Sequence, residues 1–407
     1  MRRGSLPLVL LTTVAGALGG AACTEPVPGS RQPAVEAAMP EEAQPPAGRR
    51  RFSRAARCGE CHEQLRKEWL GSAHARAAQS SAFQRALQQM GQGPAWGAVR
   101  ALCQSCHLPE VRLAGGEVGP KQAHEGVTCD ACHTLAAVSV GPTSASVRFD
   151  VESGRKYGPL SDPASNYFHG MARSPLHERA DLCAGCHHLM SFTWQGQARK
   201  IPVVTDYDGW MRYGQGRPCQ SCHMPSRGSE PIARGGRVRP DVPSHAFPGA
   251  AALGRQLRLE LSVDVRAGQL TVELSHAAGH MLPSGHVDRR LLLRVVYQDR
   301  AGSEIGSSEQ SYGIFLVDDR GLPAPVFRAT AVREDRRLPP GRVHREVFAL
   351  PTDGRVARAL VMLLSAPTAP ELADSYGEPE LSVLRSATVP IGGARQRIPR
   401  DGQGAER

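Results

Sequence analysis

The segment Cys219-Gln220-Ser221-Cys222-His223 is the last of five copies of one pattern, Cys-x-x-Cys-His, in the middle of the chain. Ten of the eleven cysteines fall in this pattern, and a histidine follows the second cysteine of every pair. A pattern repeated this strictly indicates one local structure that is built five times. The other copies are Cys58-Gly59-Glu60-Cys61-His62, Cys103-Gln104-Ser105-Cys106-His107, Cys129-Asp130-Ala131-Cys132-His133 and Cys183-Ala184-Gly185-Cys186-His187.

Cys-x-x-Cys-His is typical of covalent c-type haem attachment, in which two thiols bond the haem and the histidine binds the iron. Redox dithiols and zinc ribbons are the alternatives, but neither needs a histidine after every second cysteine. We therefore predict five covalently bound c-type haems. The predicted thioether residues are Cys58, Cys61, Cys103, Cys106, Cys129, Cys132, Cys183, Cys186, Cys219 and Cys222. The predicted proximal iron ligands are His62, His107, His133, His187 and His223.

The composition supports cofactors that contribute to the core. Aromatic residues make up only 5% of the 407 residues, which is low for a core without bound groups. The formal net charge of +10 is of the kind that suggests nucleic-acid binding. Each haem, however, brings two carboxylates, and the arginines form no obvious patch. We therefore predict redox proteins as partners, and no nucleic acid.

The N-terminus predicts export. Two arginines precede an apolar run that is too short for an ordinary membrane span, and small residues then lead to Cys23. This pattern predicts a signal peptide over residues 1–22 and a Pro/Ala-rich tether over 23–51. Cys23 is a candidate lipid anchor, although Gly20 stands where such sites usually have leucine, so ordinary cleavage near Ala22 is the alternative. The expected location is the periplasm or the outer cell surface.

The spacing of apolar residues along the sequence changes near residue 250. Residues 52–250 hold all five motifs, about forty residues for each, so the haems must pack together among short helices and long loops. From Leu257 onward, apolar and polar residues alternate and predict about seven short strands without helices between them. The predicted fold class is multidomain α + β. A haem-packed, mostly α/loop domain precedes an immunoglobulin-like antiparallel β-sandwich over 251–391 and a disordered tail over 392–407.

Several sequence segments resemble those of one protein family. The first motif, followed by Trp69 and by Ser72-Ala73-His74-Ala75, resembles multihaem cytochromes similar to the tetrahaem cytochrome c of the hydroxylamine-oxidising pathway. Glu125-Gly126-Val127-Thr128 before the third motif and Met224-Pro225 after the fifth extend the resemblance. It covers most of residues 52–300 and departs from the family in having five motifs rather than four.

Further histidines are candidates for distal iron ligands. The resemblance implies this role for His74, for His169, and for His280 in the Gly-His-x-Leu-Pro-x-Gly phrase that begins at Gly279. His245 follows a long Gly/Pro-rich loop, and His124 closely precedes the third motif, where a surface position is an equal alternative. These five candidates would provide one distal ligand for each haem.

Three functions follow from this pattern. Bis-histidine coordination closes the iron to small ligands and favours electron transfer, so an electron carrier without catalytic residues is the first hypothesis. The second is a multihaem oxidoreductase that acts on a small nitrogen or sulfur compound at one open haem. The third is a β-sandwich binding module in which the haems are structural. No Cys-x-x-Cys-Lys sequence occurs, which disfavours the pattern of ammonia-forming nitrite reductases.

The substitution His74→Ala tests the distal assignment. We expect one low-spin haem to become high-spin, because the iron loses one axial ligand, while all five haems stay attached. Low-temperature EPR of the oxidised holoprotein measures this change. An unchanged spectrum would remove His74 from the ligand list.

Overall fold

A computed structural model of the chain describes residues 51–91, 94–113, 125–194, 197–249, 257–264 and 267–391. The predicted signal peptide, nearly all of the tether, Cys23, His124 and the predicted tail lie outside the described residues, so these assignments remain predictions. Within the described ranges, no helix has the length and apolar character that a membrane crossing requires.

Short helices carry the five motifs. A further helix, α3, lies between the first two motifs and begins after Ser80, whose side chain accepts a hydrogen bond from the Phe83 amide at 3.3 Å. The first motif spans the end of α1 and the residues that follow it, and the other four lie within or at the start of a helix. The helices of this region are α1 Ala55–Gly59, α2 Glu63–Gly71, α3 Ser81–Gln89, α4 Pro94–His107, α5 Cys129–His133, α6 Asp181–His187, α7 Asp206–Tyr213 and α8 Gln220–His223.

Small sheets connect these helices, where the sequence predicted only helices and loops. Three are antiparallel hairpins and one is a parallel pair. Each strand has two to six residues, too few to show a clear alternation. The pairs are β1 Leu135–Val140 with β2 Ala145–Phe149, β3 Arg155–Gly158 with β4 Gly170–Arg173, β5 Phe192–Trp194 with β6 Gln197–Arg199, and β7 Glu230–Pro231 with β8 Val238–Arg239.

The C-terminal region is built from antiparallel strands, as the alternation predicted. It has more described strands than the seven expected, and a short helix, α9 Ala373–Tyr376. The strands are β9 Leu257–Asp264, β10 Gln269–His276, β11 Arg290–Gln298, β12 Glu304–Tyr312, β13 Ile314–Val317, β14 Ala331–Asp335, β15 His344–Ala349, β16 Arg358–Ala366 and β17 Ser382–Pro390. Three sheets result, with strand orders β15-β10-β9, β12-β11-β16-β17 and β13-β14.

The two larger sheets share one apolar core. Leu270, Val272 and Leu274 point to the same side of β10 because side chains alternate along a strand, and all three are fully buried. They pack in one cluster with residues such as Leu293 on β11 and Val361 on β16. Complete burial of one such side chain contributes about 1.5–3 kcal/mol, so this core holds the two sheets together.

The haem-binding segment packs directly on the C-terminal strands. Ile201 lies in one apolar cluster with Ile314 and Leu316, and Met90 lies in another with Phe327 and Tyr376. Apolar contacts therefore join the two parts of the chain. The domain boundary near residue 250 stays a prediction.

The shared core predicts a large stability difference between two valine substitutions. Val361→Ala removes buried methyl groups and should lower the free energy of unfolding by about 2 kcal/mol. Val347→Ala is the matched control, because Val347 on β15 is 51% exposed and should change stability by less than about 0.5 kcal/mol. Denaturant unfolding followed by circular dichroism compares them. Equal effects would contradict the core assignment.

Candidate haem centres

Each motif forms a single helical turn. The His62 amide donates to the Cys58 carbonyl at 2.9 Å, and the His223 amide donates to the Cys219 carbonyl at 2.9 Å. Positions i, i+3 and i+4 share one face of a helix. Both thiols and the imidazole of a motif therefore project from the same side, as one covalently attached haem requires. None of the ten motif cysteines is in a disulfide, so each sulfur is available for a thioether bond.

Four motif histidines face a second histidine. The rings of three pairs are stacked, with interplanar angles of 27°, 21° and 18°, whereas the rings of the fourth pair stand at 77°. The stacked pairs and their centroid distances are His62 with His169 at 6.4 Å (27°), His133 with His245 at 6.1 Å (21°) and His223 with His280 at 6.1 Å (18°). The near-perpendicular pair is His187 with His74, at 6.3 Å (77°).

These separations fit one iron between two imidazoles. A bond from a metal to an imidazole nitrogen is about 2 Å long, and the nitrogen lies about 1 Å from the ring centre, so the two centres are about 6 Å apart. The sequence predicted His74, His169, His245 and His280 as distal ligands. The structure brings each of them to a motif histidine at this separation.

Hydrogen bonds leave one nitrogen of most of these rings free for a metal. A carbonyl oxygen near Nδ1 fixes the tautomer with the proton on Nδ1, which directs the lone pair of Nε2 towards a metal. The Nδ1–oxygen contacts of motif histidines are His62 to Ile232 at 2.7 Å, His107 to Ala77 at 3.0 Å and His133 to Tyr157 at 2.7 Å. Those of facing histidines are His169 to Gly170 at 3.2 Å, His245 to Pro243 at 3.0 Å and His280 to Met281 at 3.2 Å.

Burial keeps several of these rings neutral. It lowers the pKa of His74 and of His245 to about 4. It also lowers the pKa of His133, His169 and His223. A histidine must be neutral to bind a metal, so these rings suit iron ligation at neutral pH.

His187 differs from the other motif histidines in its partner. Its Nδ1 lies 2.8 Å from Oδ2 of Asp206. Burial alone would lower the pKa of His187, but the hydrogen bond and charge of Asp206 raise it overall. Sequence analysis did not identify Asp206, because an isolated aspartate near a Tyr-Asp-Gly-Trp segment carries no motif.

A second histidine also approaches His133. The His177 ring centroid lies 5.8 Å from that of His133, with an interplanar angle of 24°. Its Nε2, however, is bonded to the Cys132 carbonyl at 3.0 Å, whereas Nε2 of His245 has no such bond among the described contacts. The free nitrogen of His177 is therefore Nδ1, which has no hydrogen-bond partner among the described residues, whereas that of His245 is Nε2, as in His169 and His280. We assign His245 as the ligand because its free nitrogen matches theirs.

His107 lacks a facing imidazole among the described residues. The Phe83 ring stacks on it, with centroids 4.1 Å apart and an interplanar angle of 2°. Burial, with smaller effects from His286 and Arg289, lowers the pKa of His107. The predicted ligand His124 lies outside the described residues, so its role stays a prediction.

Contacts between cysteines connect the motifs to each other. Three cysteine pairs from different motifs lie close enough to shift each other's pKa, and they link motif one to three, two to four and four to five: Cys58 with Cys129, Cys106 with Cys186, and Cys183 with Cys219. Cys132 of motif three is also near enough to both cysteines of motif four to affect their pKa values. The five attachment points thus form one connected set with motif four at its centre.

The ring angles predict the EPR spectrum of the oxidised holoprotein. Near-parallel imidazoles split the iron d orbitals and give rhombic low-spin signals, whereas near-perpendicular imidazoles give one strongly anisotropic signal. We expect three rhombic signals and one strongly anisotropic signal, besides that of the haem at His107. His74→Ala should abolish the strongly anisotropic signal, and the control His177→Ala should preserve all four. A spectrum without the anisotropic signal would contradict the pairing of His74 with His187.

Comparisons with known proteins found a family match to part of the chain and a similar fold. Residues 57–134 match the family described as cytochrome c554 and c-prime. The fold is similar to the crystal structure of a penta-heme cytochrome c552 from Thermochromatium tepidum, with a TM-score of 0.65 and 22% identity, over 84% of this chain and 99% of that chain. The match covers more of this chain than residues 1–250 contain, so the similarity extends into the C-terminal strands. No curated protein matches. Both matches support a multihaem c-type cytochrome.

Proposed function

We propose that this chain is an exported pentahaem cytochrome c that carries electrons through closely packed haems. The observation that carries the proposal is the connected set of haem-attachment motifs, in which cysteines of different motifs lie close enough to shift each other's pKa. Because each motif cysteine would bond the edge of one haem, neighbouring cysteines of two motifs would bring two haem edges close together. Independent haem pockets would not need such contacts.

The residues of the chain hold and close the redox groups. The haems supply one-electron chemistry when bound. The ten motif cysteines would attach them, and four pairs of histidines would occupy both axial positions of four irons. Closed axial positions exclude small ligands, and the carbonyl contacts at Nδ1 hold the rings in the ligating orientation. This arrangement favours electron transfer over bond-making chemistry.

A second candidate is an oxidoreductase that acts on a small nitrogen or sulfur compound. The observation that favours it is the environment of His107, which has no facing imidazole among the described residues. His286 and Arg289 lie near enough to lower its pKa, and such groups could bind an oxyanion. If His124 does not bind this iron, the haem held by His107 could accept a small ligand.

We also propose an immunoglobulin-like β-sandwich for the C-terminal strands, as a separate domain that begins near residue 251. If β9, β10, β11, β15, β16 and β17 are taken as strands A, B, C, E, F and G, the sheet orders become E-B-A and C-F-G, with β12 beside C. This division of strands between two sheets is typical of the immunoglobulin group. The shared core between the sheets supports the proposal.

Export and membrane attachment are proposed from the sequence alone. The basic and apolar N-terminal segment supports a signal peptide, and c-type haem is attached outside the cytoplasmic membrane. A lipid on Cys23 would attach the protein to a membrane in the periplasm or at the outer cell surface, where redox proteins would be its partners.

Haem counting and a carbon monoxide titration test the proposed function. The intact mass should exceed that of the processed polypeptide by five haems, because ten thiols form thioethers. Carbon monoxide should not bind the reduced holoprotein if every iron has two histidine ligands.

Other results would change the proposal. A mass with fewer than five haems, or carbon monoxide at several haems, would contradict the closed carrier. Binding at one haem, with the four paired low-spin signals intact, would instead favour an open site at His107. Turnover assays with hydroxylamine, nitrite and tetrathionate would then test the oxidoreductase.

A further inference from the structure

Asp206 gives one motif histidine a different electronic environment. His62, His107 and His133 each have a neutral backbone carbonyl at Nδ1. His187 has the carboxylate of Asp206 at 2.8 Å instead. A hydrogen bond to an ionised acceptor is roughly twice as strong as one to a neutral acceptor. The imidazole of His187 therefore shares more of its Nδ1 proton than the other three do.

The surrounding structure holds this carboxylate in place from several directions. Asp206 is the first residue of α7, where a negative charge is stabilised by the helix N-terminus. Its other oxygen, Oδ1, accepts the Gly285 amide at 2.6 Å. The preceding Thr205 accepts a hydrogen bond from Arg337 at 2.5 Å. The side chain is only 20% exposed, so it cannot turn freely into solvent.

A carboxylate at this position should change the balance between the two iron oxidation states. Partial removal of the Nδ1 proton makes the imidazole a stronger electron donor through Nε2. A stronger donor stabilises ferric iron more than ferrous iron, because the ferric ion carries the higher charge. Hydrogen bonding to an axial ligand is one of the ways in which a protein sets a haem potential.

We infer that Asp206 lowers the reduction potential of the haem held by His187, relative to the potential that a carbonyl partner would give. The inference rests on the proposed function, since it requires a haem at the fourth motif. Asp206 acts through His187 and is therefore a positioning residue that does not itself bind the iron. Because motif four contacts motifs two, three and five, the haem affected is the one with the most neighbours.

The substitution Asp206→Asn isolates the charge. Asparagine has nearly the same shape and keeps an oxygen that can accept from Gly285 or His187, so the partner of His187 becomes neutral. We expect the potential of one haem to rise by about 59 mV, which is a tenfold change in a one-electron equilibrium constant. The charge of Asp206 also acts on His223 and His280, so the potential of the haem at motif five should rise by a smaller amount. The potentials of the other three haems should stay unchanged.

An EPR-monitored redox titration of the full holoprotein identifies the haem concerned. His187 and His74 form the near-perpendicular pair, so the shift should appear in the strongly anisotropic signal. Asp208→Asn is the matched control, since Asp208 lies on the same helix and is paired with the exposed Arg212. It should leave all potentials unchanged. Asp206→Glu restores a carboxylate and should return the potential towards the wild-type value.

The outcomes separate this inference from the proposed function. A wild-type protein with fewer than five haems contradicts the proposed function. If wild-type and Asp206→Asn proteins both hold five haems and the anisotropic signal does not shift, or all five potentials shift equally, the inference alone is overturned. If the Asp206→Asn protein loses a haem, the haem content and potentials of the Asp206→Glu protein decide between the inference and a structural role. A retained signal near the wild-type potential supports the inference, and haem loss in both variants shows a purely structural role.

Discussion

Two imidazoles can bind the same iron only if their Nε2 atoms face each other across a gap of fixed width. Many contacts in this structure hold histidine rings in that arrangement. Four pairs of rings lie 6.1–6.4 Å apart between centroids. Each ring is small and would rotate about two bonds if nothing held it. The contacts at Nδ1, most of them to backbone carbonyls, remove that freedom before a metal binds, so less ordering entropy opposes ligation.

None of the four candidate haem sites with a described histidine pair is complete within one segment. His169 and His245 reach motifs one and three from later loops, and His74 reaches motif four from the turn that follows α2. The thiols of different motifs also contact each other. Haems held at these motifs would form part of a common core, which would allow a chain with only 5% aromatic residues to bury enough apolar surface.

The C-terminal strands contribute to the haem centres through one loop. Leu282 exchanges two backbone hydrogen bonds with Leu338, at 2.9 and 2.6 Å, and the Val287 amide donates to the Val203 carbonyl at 3.0 Å. These bonds hold the loop between the sheets and the segment that leads into α7. The same loop carries His280 to motif five and provides the amide that contacts Asp206. A rigid sheet thus positions residues at two haem centres.

The sequence by itself determined the change to strand alternation near residue 250 and predicted the attachment chemistry, because both depend on neighbours a few residues apart. Cys-x-x-Cys-His works within one helical turn, and strand alternation repeats every two residues. It also indicated candidate distal ligands, namely His74, His169, His245 and His280, but not which motif each of them faces. Only the tertiary structure decided that His74 faces motif four and that a carboxylate, rather than a carbonyl, contacts His187. Those facts depend on packing between segments that are distant in the sequence, and the spacing of residues within a motif does not predict such packing.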